Sequence, residues 1–239
     1  MYIKQTNSTN QLMQSNLSQE EGFYIVTDYQ SEGRGQVGTH WESERGQNLL
    51  VSFLLHPQIA VSTQFRLAML TGLAVAEALD KWCKGQGAQC TIKWPNDIYF
   101  GDKKVGGILI ENKSEQGLVK DSIIGIGVNV NQLTFVSDAP NPISLRHITG
   151  KQEDKEQVLQ AIQKRLQALR PLLEDAREQE LRQRYIARLY RRSGLYEYED
   201  AKGRFKAEWV GIGTAGEWIV RTEDNEIRTY LLKQIKFIL

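Results

Sequence analysis

The chain has 239 residues, enough for one large domain beside a smaller one and for a sizeable core. Its 30 Lys and Arg against 29 Asp and Glu leave a formal charge of +1, too weak a field to gather nucleic acid or a membrane surface. No apolar run approaches the roughly 18 residues of a membrane helix, and Met1–Asn7 lacks the apolar core of a signal peptide, so the cytoplasm is the expected compartment.

Ser8, Thr9 and Asn10 are good N-cap types and predict a short helix after them. Phe23–Thr27 reads as a strand. The segment 31–41 then carries Gly33, Gly35 and Gly38 at GxGxxG spacing, with Arg34 between the first two and Gln36 and Val37 before the third. Glycine lets backbone approach a ligand and expose its N–H groups. Arginine adds a cationic fork suited to carboxylate or phosphate. A dinucleotide fingerprint needs a helix opening on the glycines. Here a loop and a second strand, Leu49–Leu55, follow, and no Gly-Lys-Ser/Thr closes a Walker A loop. The composition instead suits a mobile loop that brings an acid and a phosphate together.

Apolar residues at three-to-four spacing predict a helix over 63–84, with small residues such as Ala68, Gly72 and Ala76 for close packing on a sheet. The two cysteines, Cys83 at its end and Cys90 at the start of the next strand, lack metal spacing and are expected as buried, reduced thiols. His40, His56 and His147 form no zinc set. Thr91–Trp94 predicts a strand, and 97–100 with 105–111 a hairpin. Residues 114–117 make a turn, and 123–131 a glycine-bearing strand. The loop with Pro140 and Pro142 is long enough for a lid. Residues 153–192 are helical, with Pro171 kinking or restarting the helix. After Ser193-Gly194, short β-like runs alternate with turns, the pattern of a small all-β unit.

Singly, these segments have plain explanations: a cap at Ser8, a turn at Pro95-Asn96-Asp97, a hairpin charge at Lys104, a satisfied loop at Asn129. Together and in order they do not. Ser8-Thr9-Asn10, Tyr29-Gln30-x-x-Gly33-Arg34-Gly35-x-x-Gly38-x-x-Trp41, Lys93-Trp94-Pro95-Asn96-Asp97, Lys104-x-Gly106-Gly107-Ile108-Leu109-x-Glu111 and Gly125-x-Gly127-x-Asn129 span residues 8 to 131. The set resembles the biotin protein ligases (biotin–[acetyl-CoA-carboxylase] ligases), and with the β unit the resemblance covers essentially the whole chain.

The resemblance implies an α+β fold: a mixed β-sheet with flanking helices, like class II synthetases and biotin and lipoate ligases, then a small SH3-like barrel. The implied domains are a catalytic unit over 1–192 and the barrel over 193–239. It implies ATP-dependent attachment of biotin to a lysine of a biotin carboxyl carrier domain of acetyl-CoA or a related carboxylase, through biotinyl-5′-AMP, with Mg2+ carried in on ATP and no dedicated metal cluster. No DNA or membrane partner is implied, and a homodimer is left open. By resemblance, Arg34, Lys104 and Lys93 are the catalytic cations. Biotin would meet Ser8, Thr9, Asn10, Gln30, Gly33, Arg34, Gly35, Gln36, Trp41, Lys104 and Gly107, and ATP would meet Arg34, Lys93, Asn96, Lys104 and Asn129. Asp97 would orient a lysine, either Lys93 or the acceptor's. Many relatives carry a second arginine where Gln36 stands and Arg or Asn where Thr39 stands, a departure that implies a looser hold on the adenylate. Only seven residues precede Ser8, which leaves no room for the DNA-binding domain of repressor forms. The alternatives are a lipoate–protein ligase-like adenylating enzyme and a catalytically silent biotin- or nucleotide-binding regulator.

Overall fold

The computed structural model describes residues 1–36, 38–136 and 141–239; Val37 and Pro140 of the sequence reading lie outside them. The elements run β1 (Tyr2–Ile3), α1 (Thr9–Met13), β2 (Tyr24–Thr27), β3 (Leu49–Leu55), β4 (Ile59–Ala60), α2 (Phe65–Cys83), β5 (Cys90–Lys93), β6 (Asp97–Phe100), β7 (Lys103–Glu115) and β8 (Leu118–Val128). Helices α3 (Leu145–Thr149), α4 (Lys155–Leu169) and α5 (Glu178–Ala187) follow. The last five strands are β9 (Leu195–Asp200), β10 (Gly203–Ile212), β11 (Trp218–Thr222), β12 (Ile227–Tyr230) and β13 (Lys236–Phe237).

An eight-stranded sheet has the order β1-β2-β3-β8-β7-β6-β5, with β4 beside β8. It is mixed because β1 joins β2 in parallel while the other pairs are antiparallel. All seven residues of β3 are buried, as its unbroken apolar run requires of a strand covered on both faces. One face packs α2 and α4 through Leu49, Val51, Phe53, Ile124, Ile126 and Val128, among others. On the other, α1 covers Ile25, Leu54 and Ile123 with Met13. Gly72 lets α2 settle on the sheet, since a Cβ there would already stand 3.3 Å from the Ile92 side chain. Pro171 opens a 3-10 turn, Arg170–Leu173, rather than kinking one long helix. Among the described residues no helix is long and apolar enough to cross a membrane.

Strands β12-β11-β10-β9-β13 form a second, five-stranded antiparallel sheet consistent with an SH3-like unit. Its centre is Trp218, fully buried, with ring centroids 5.8 Å from Trp94, 5.9 Å from Trp209 and 5.3 Å from Phe237. Trp94 belongs to the turn after β5, and its Nε1 donates to Gly216 O at 2.8 Å. The C-terminal sheet is therefore fastened to that turn by a buried aromatic stack and a hydrogen bond.

The exposed half of the main sheet has a bare patch. Gly107 and Gly127 face each other across β7 and β8, and Gly125 pairs with Leu109. A Cβ on Gly127 would lie 2.5 Å from Trp41 Cε2, and one on Gly107 2.9 Å from Trp41 Cζ3, so the indole lies directly on backbone. A Cβ on Gly125 would meet Asn10 Oδ1 at 2.3 Å. Lys104 reaches the same face through a β-bulge. Ile98 opposes Gly106 and Tyr99 opposes Lys104, which leaves Val105 as the extra residue. The bulge shifts the alternation, so Val105 is buried while Lys104 turns toward Gly107.

Two outcomes are expected. Trp218→Ala removes a fully buried ring between both sheets and should lower stability by about 3–5 kcal/mol, read by urea unfolding; a loss within experimental error would contradict the keystone role. Gly127→Val should push Trp41 off the sheet and speed tryptic cleavage at Arg34 or Arg45, with circular dichroism retained. Unchanged cleavage would mean the indole does not depend on the bare patch.

Candidate active site

A cavity of about 530 Å³ sits over the glycine patch, within the usual range of small-molecule sites. Ser8, Thr9, Asn10, Gln30, Arg34, Gly35, Gln36, Trp41, Asn96, Asp97, Lys104 and Gly107 all line it. A second cavity of about 790 Å³ adjoins it. The two share Arg34, Gly35, Gln36 and Asn96, and the second adds Phe65, Ala68, Trp94, Leu231 and Leu232.

Ser8 occupies the N-cap position of α1 but makes no side-chain cap bond. The residues that read as caps are built into a polar network instead. Ser52 Oγ lies 2.7 Å from Thr9 Oγ1 and 2.6 Å from Asn10 Oδ1. Thr9 donates from N (2.7 Å) and Oγ1 (3.0 Å) to Gln30 Oε1. Asn10 Nδ2 donates to Glu111 Oε2 at 2.7 Å. Ser8, Thr9, Asn10 and Ser52 are each less than 5% exposed, so the cavity holds oriented donors and acceptors at its closed end.

The described residues of the glycine loop, on either side of Val37, pair with one another. Trp41 N donates to Gly33 O (3.0 Å), Gly35 N to Thr39 O (3.1 Å), and Arg34 bridges His40. The glycines permit this closeness, since a Cβ on Gly33 would sit 2.6 Å from Trp41 O and one on Gly35 2.4 Å from Thr39 Oγ1. Gly33 therefore supports Trp41 rather than lining the cavity.

Both cations of the cavity are ion-paired. Lys104 Nζ stands 2.7 Å from Asp97 Oδ1 and 5.6 Å from the Trp41 ring centroid. Arg34 Nη2 stands 3.3 Å from Glu111 Oε2. These pairs are partly exposed, worth about 0–1 kcal/mol each, and an arriving anion can compete for them. The guanidinium carries five donors and the ammonium three, so each keeps donors free for a ligand without leaving its carboxylate. Asp97, expected to orient Lys93 or the acceptor's lysine, is instead paired with Lys104.

Besides Gly33, two expected site residues lie elsewhere. Lys93 lines neither cavity. Its Nζ sits over the rings of Tyr99 (5.1 Å) and Phe237 (5.3 Å), clasping the C-terminal sheet. Burial holds that ammonium below the ordinary lysine value, against the opposing pull of Asp97. Lys93 and Asp97 are register partners at the end of a two-strand ladder and share one face of it, on which Asp97 leans toward Lys104 and Lys93 toward the Tyr99 and Phe237 rings. Asn129 also lines neither cavity. Its N–H binds Val105 O (2.9 Å) and its Nδ2 binds Ile143 O (3.2 Å), while Ile143 N binds Lys104 O (2.9 Å). Asn129 braces the bulge that aims Lys104. Residues 141–143, expected in a lid, form the other side of that brace; Lys104 N donates to Asn141 O at 2.8 Å.

Sequence reasoning missed Ser52, though a lone serine inside the run Leu49–Leu55 was a signal. Glu111 had been quoted without a role. Phe65, Leu231 and Leu232 carried no signal, because only the fold brings α2 and the segment after β12 to one cavity.

Comparison with known proteins agrees with this geometry. A sequence profile of the Biotin/lipoate A/B protein ligase family matches residues 2–129. The Bifunctional ligase/repressor BirA of Bacillus spizizenii is 36% identical over 153 residues, 62% of this chain and 46% of that protein. The Biotin–[acetyl-CoA-carboxylase] ligase of Paracoccus denitrificans is 32% identical over 140 residues, 57% of this chain and 58% of that protein. The matched stretch thus spans about half the length of these curated relatives. The solved biotin protein ligase from Aquifex aeolicus, in complex with biotin and ATP, superimposes with a TM-score of 0.79 at 28% identity, covering 99% of this chain and 97% of that one. With a profile match over more than half its residues, laid across the strands and loop that build the cavity, this chain belongs to the biotin/lipoate A/B protein ligase family.

Proposed function

We propose that this chain is a biotin protein ligase: it joins biotin to ATP as biotinyl-5′-AMP and passes the biotinyl group to a lysine of a biotin carboxyl carrier domain. The observation that carries this reading is the convergence, over one glycine floor, of a neutral polar pocket (Ser8, Thr9, Asn10 and Gln30, with Ser52 hydrogen-bonded behind Thr9 and Asn10) and two cations (Arg34, Lys104). Biotin has the matching halves. Its ureido group needs buried donors and acceptors, and its acid tail needs cations. The adjoining cavity, with Phe65, Trp94, Leu231 and Leu232, suits a purine. The solved Aquifex relative binding biotin and ATP supports both assignments.

In the first step a biotin carboxylate oxygen bonds to the α-phosphorus and the bond to pyrophosphate breaks. Two anions at 4 Å repel by about 4 kcal/mol at an effective dielectric constant near 20. Arg34, at the junction of the cavities, and Lys104, aimed by its bulge, offset that repulsion and hold the charge that develops. Asn96, its Nδ2 tied to Ile108 O at 2.6 Å, separates the two halves. Lys93 is assigned to fastening the C-terminal sheet, not to the reacting atoms.

Magnesium enters on ATP. Among the described residues no group of three His, Cys, Asp or Glu side chains forms a cage. Asp97 and Glu111 border the cavities, and one or two carboxylates beside phosphates fit the usual needs of this ion. When bound beside Asp97 or Glu111 it would supply positive charge that offsets the phosphates. In the second step the acceptor lysine nitrogen attacks the acyl carbon, loses a proton, and AMP leaves. The anhydride is already activated, so positioning can supply most of what remains, up to about 7–11 kcal/mol in favourable cases. We assign 1–192 to adenylation and 193–239 to closing the nucleotide side.

Incubation with biotin and magnesium-ATP should release pyrophosphate, and adding a carrier domain should raise that domain's intact mass by one biotinyl group. Lipoate should not substitute; adenylation of lipoate in preference to biotin would overturn the assignment. Arg34→Ala or Lys104→Ala should slow biotinyl-AMP formation about 10²–10³-fold with the fold intact. Lys93→Met should show in urea unfolding before it shows in that rate. Normal adenylate formation by Lys104→Ala would refute the role given to the bulge.

A further inference from the structure

Cys83 and Cys90 take no part in the chemistry above. Cys83 ends α2, Cys90 opens β5, and their Sγ atoms stand 3.3 Å apart. Both are buried free thiols. A disulfide needs about 2.05 Å between sulfurs, so little movement separates this pair from a bond.

The surroundings decide which thiol moves. Cys90 is anchored on both backbone sides: its N donates to Asp80 Oδ1 (3.0 Å), and its O accepts from Arg188 Nη1 (3.2 Å). Arg188 also holds Asp80 at 2.6 Å, which closes a small network around the start of β5. Cys83 lies at a helix end, followed by a connection in which Gly85 and Gly87 take φ of +83° and +79°. Cys83 is itself only 1% exposed, but it borders a surface cavity of about 770 Å³ with Gly85 and Gly87 while Cys90 does not, so it is the thiol of the pair nearer the surface. The hydrogen bond to Cys83 and burial push the Cys90 thiol up.

We propose that Cys83 and Cys90 form a dithiol site that exchanges with a small organic disulfide and closes a reversible bridge between α2 and β5. The Cys83 thiolate attacks one sulfur of the reagent RSSR. Its S–S bond breaks, and RS⁻ leaves and takes up a proton. Cys90 gives up its proton and attacks the Cys83 sulfur of the mixed disulfide, displacing the second RSH. Two protein thiols become one disulfide, and RSSR becomes two RSH. β5 leads through Lys93 into the Trp94–Asp97 wall of the active site, so the bridge ties that wall to the longest helix of the fold. A cross-link restricts the unfolded chain, so the bridged form should resist heat better.

The test treats the folded, full chain with 2-hydroxyethyl disulfide, then alkylates remaining thiols under denaturing conditions and measures intact mass and tryptic peptides. The expected product is lighter by two hydrogens, takes no alkyl group, joins peptides 82–84 and 85–93, and reverts with dithiothreitol. Its thermal midpoint should exceed that of the reduced chain. Two alkylated thiols, a persistent hydroxyethanethiol adduct, or an unchanged or lower midpoint would overturn the proposal. Cys90→Ser, which lacks the resolving thiol, should keep the adduct on Cys83. A folded Cys90→Ser chain without it would contradict Cys83 as the attacking group, and should that variant not fold, the native chain's mass decides.

Discussion

The absence of three side chains shapes this molecule's active face. Gly107, Gly125 and Gly127 leave the middle of a buried sheet bare, so that an indole and a carboxamide rest directly on the peptide groups. Any side chain there would occupy the space of Trp41 or Asn10. The same face then carries, in strand alternation, Leu50 and Ser52 on β3 and Leu109 and Glu111 on β7. Floor, polar end wall and counter-charge thus follow from one register. A one-residue slip would turn them all to the helix side.

On that floor the fold solves an electrostatic problem with few charges. Arg34 and Lys104 are each matched to one carboxylate, so the empty cavity is not a concentrated positive site that would repel its own walls. The pairs are weak enough, in partly wet surroundings, to share their cations with phosphate and carboxylate. Lys104 owes its direction to a bulge, and the bulge is braced by Asn129 and residues 141–143. Trp94 carries the C-terminal sheet through its hydrogen bond to Gly216, and that sheet supplies Leu231 and Leu232 to the second cavity. The small unit is therefore part of the wall of the second cavity as well as a separate fold.

Much of this was legible in the residues. The apolar run of β3, the three-to-four spacing of α2 and the hairpin of β6 and β7 follow from periodicity, and the ordered motifs pointed to the family. Most residues expected at the site do meet at one cavity. What stayed hidden depended on tertiary register. Whether Lys104 faces the cavity turns on one extra residue, Val105, which periodicity does not reveal. Asn129, placed at the nucleotide by the resemblance, uses its donors on Val105 and Ile143. Nothing in sequence says that Thr9 and Asn10, at the polar end of α1, meet Ser52 and Gln30. Strands β1 and β4, two residues each, were too short to leave a pattern.

The most direct test is a crystal structure of the chain soaked with biotin and a non-hydrolysable ATP analogue. The account predicts biotin lying on Gly107, Gly125 and Gly127 between Asn10 and Trp41, its carboxylate within hydrogen-bond reach of Lys104 Nζ and Arg34, and the purine beside Phe65 and Trp94. Biotin bound away from the glycine floor, with Lys104 and Arg34 touching only Asp97 and Glu111, would contradict it.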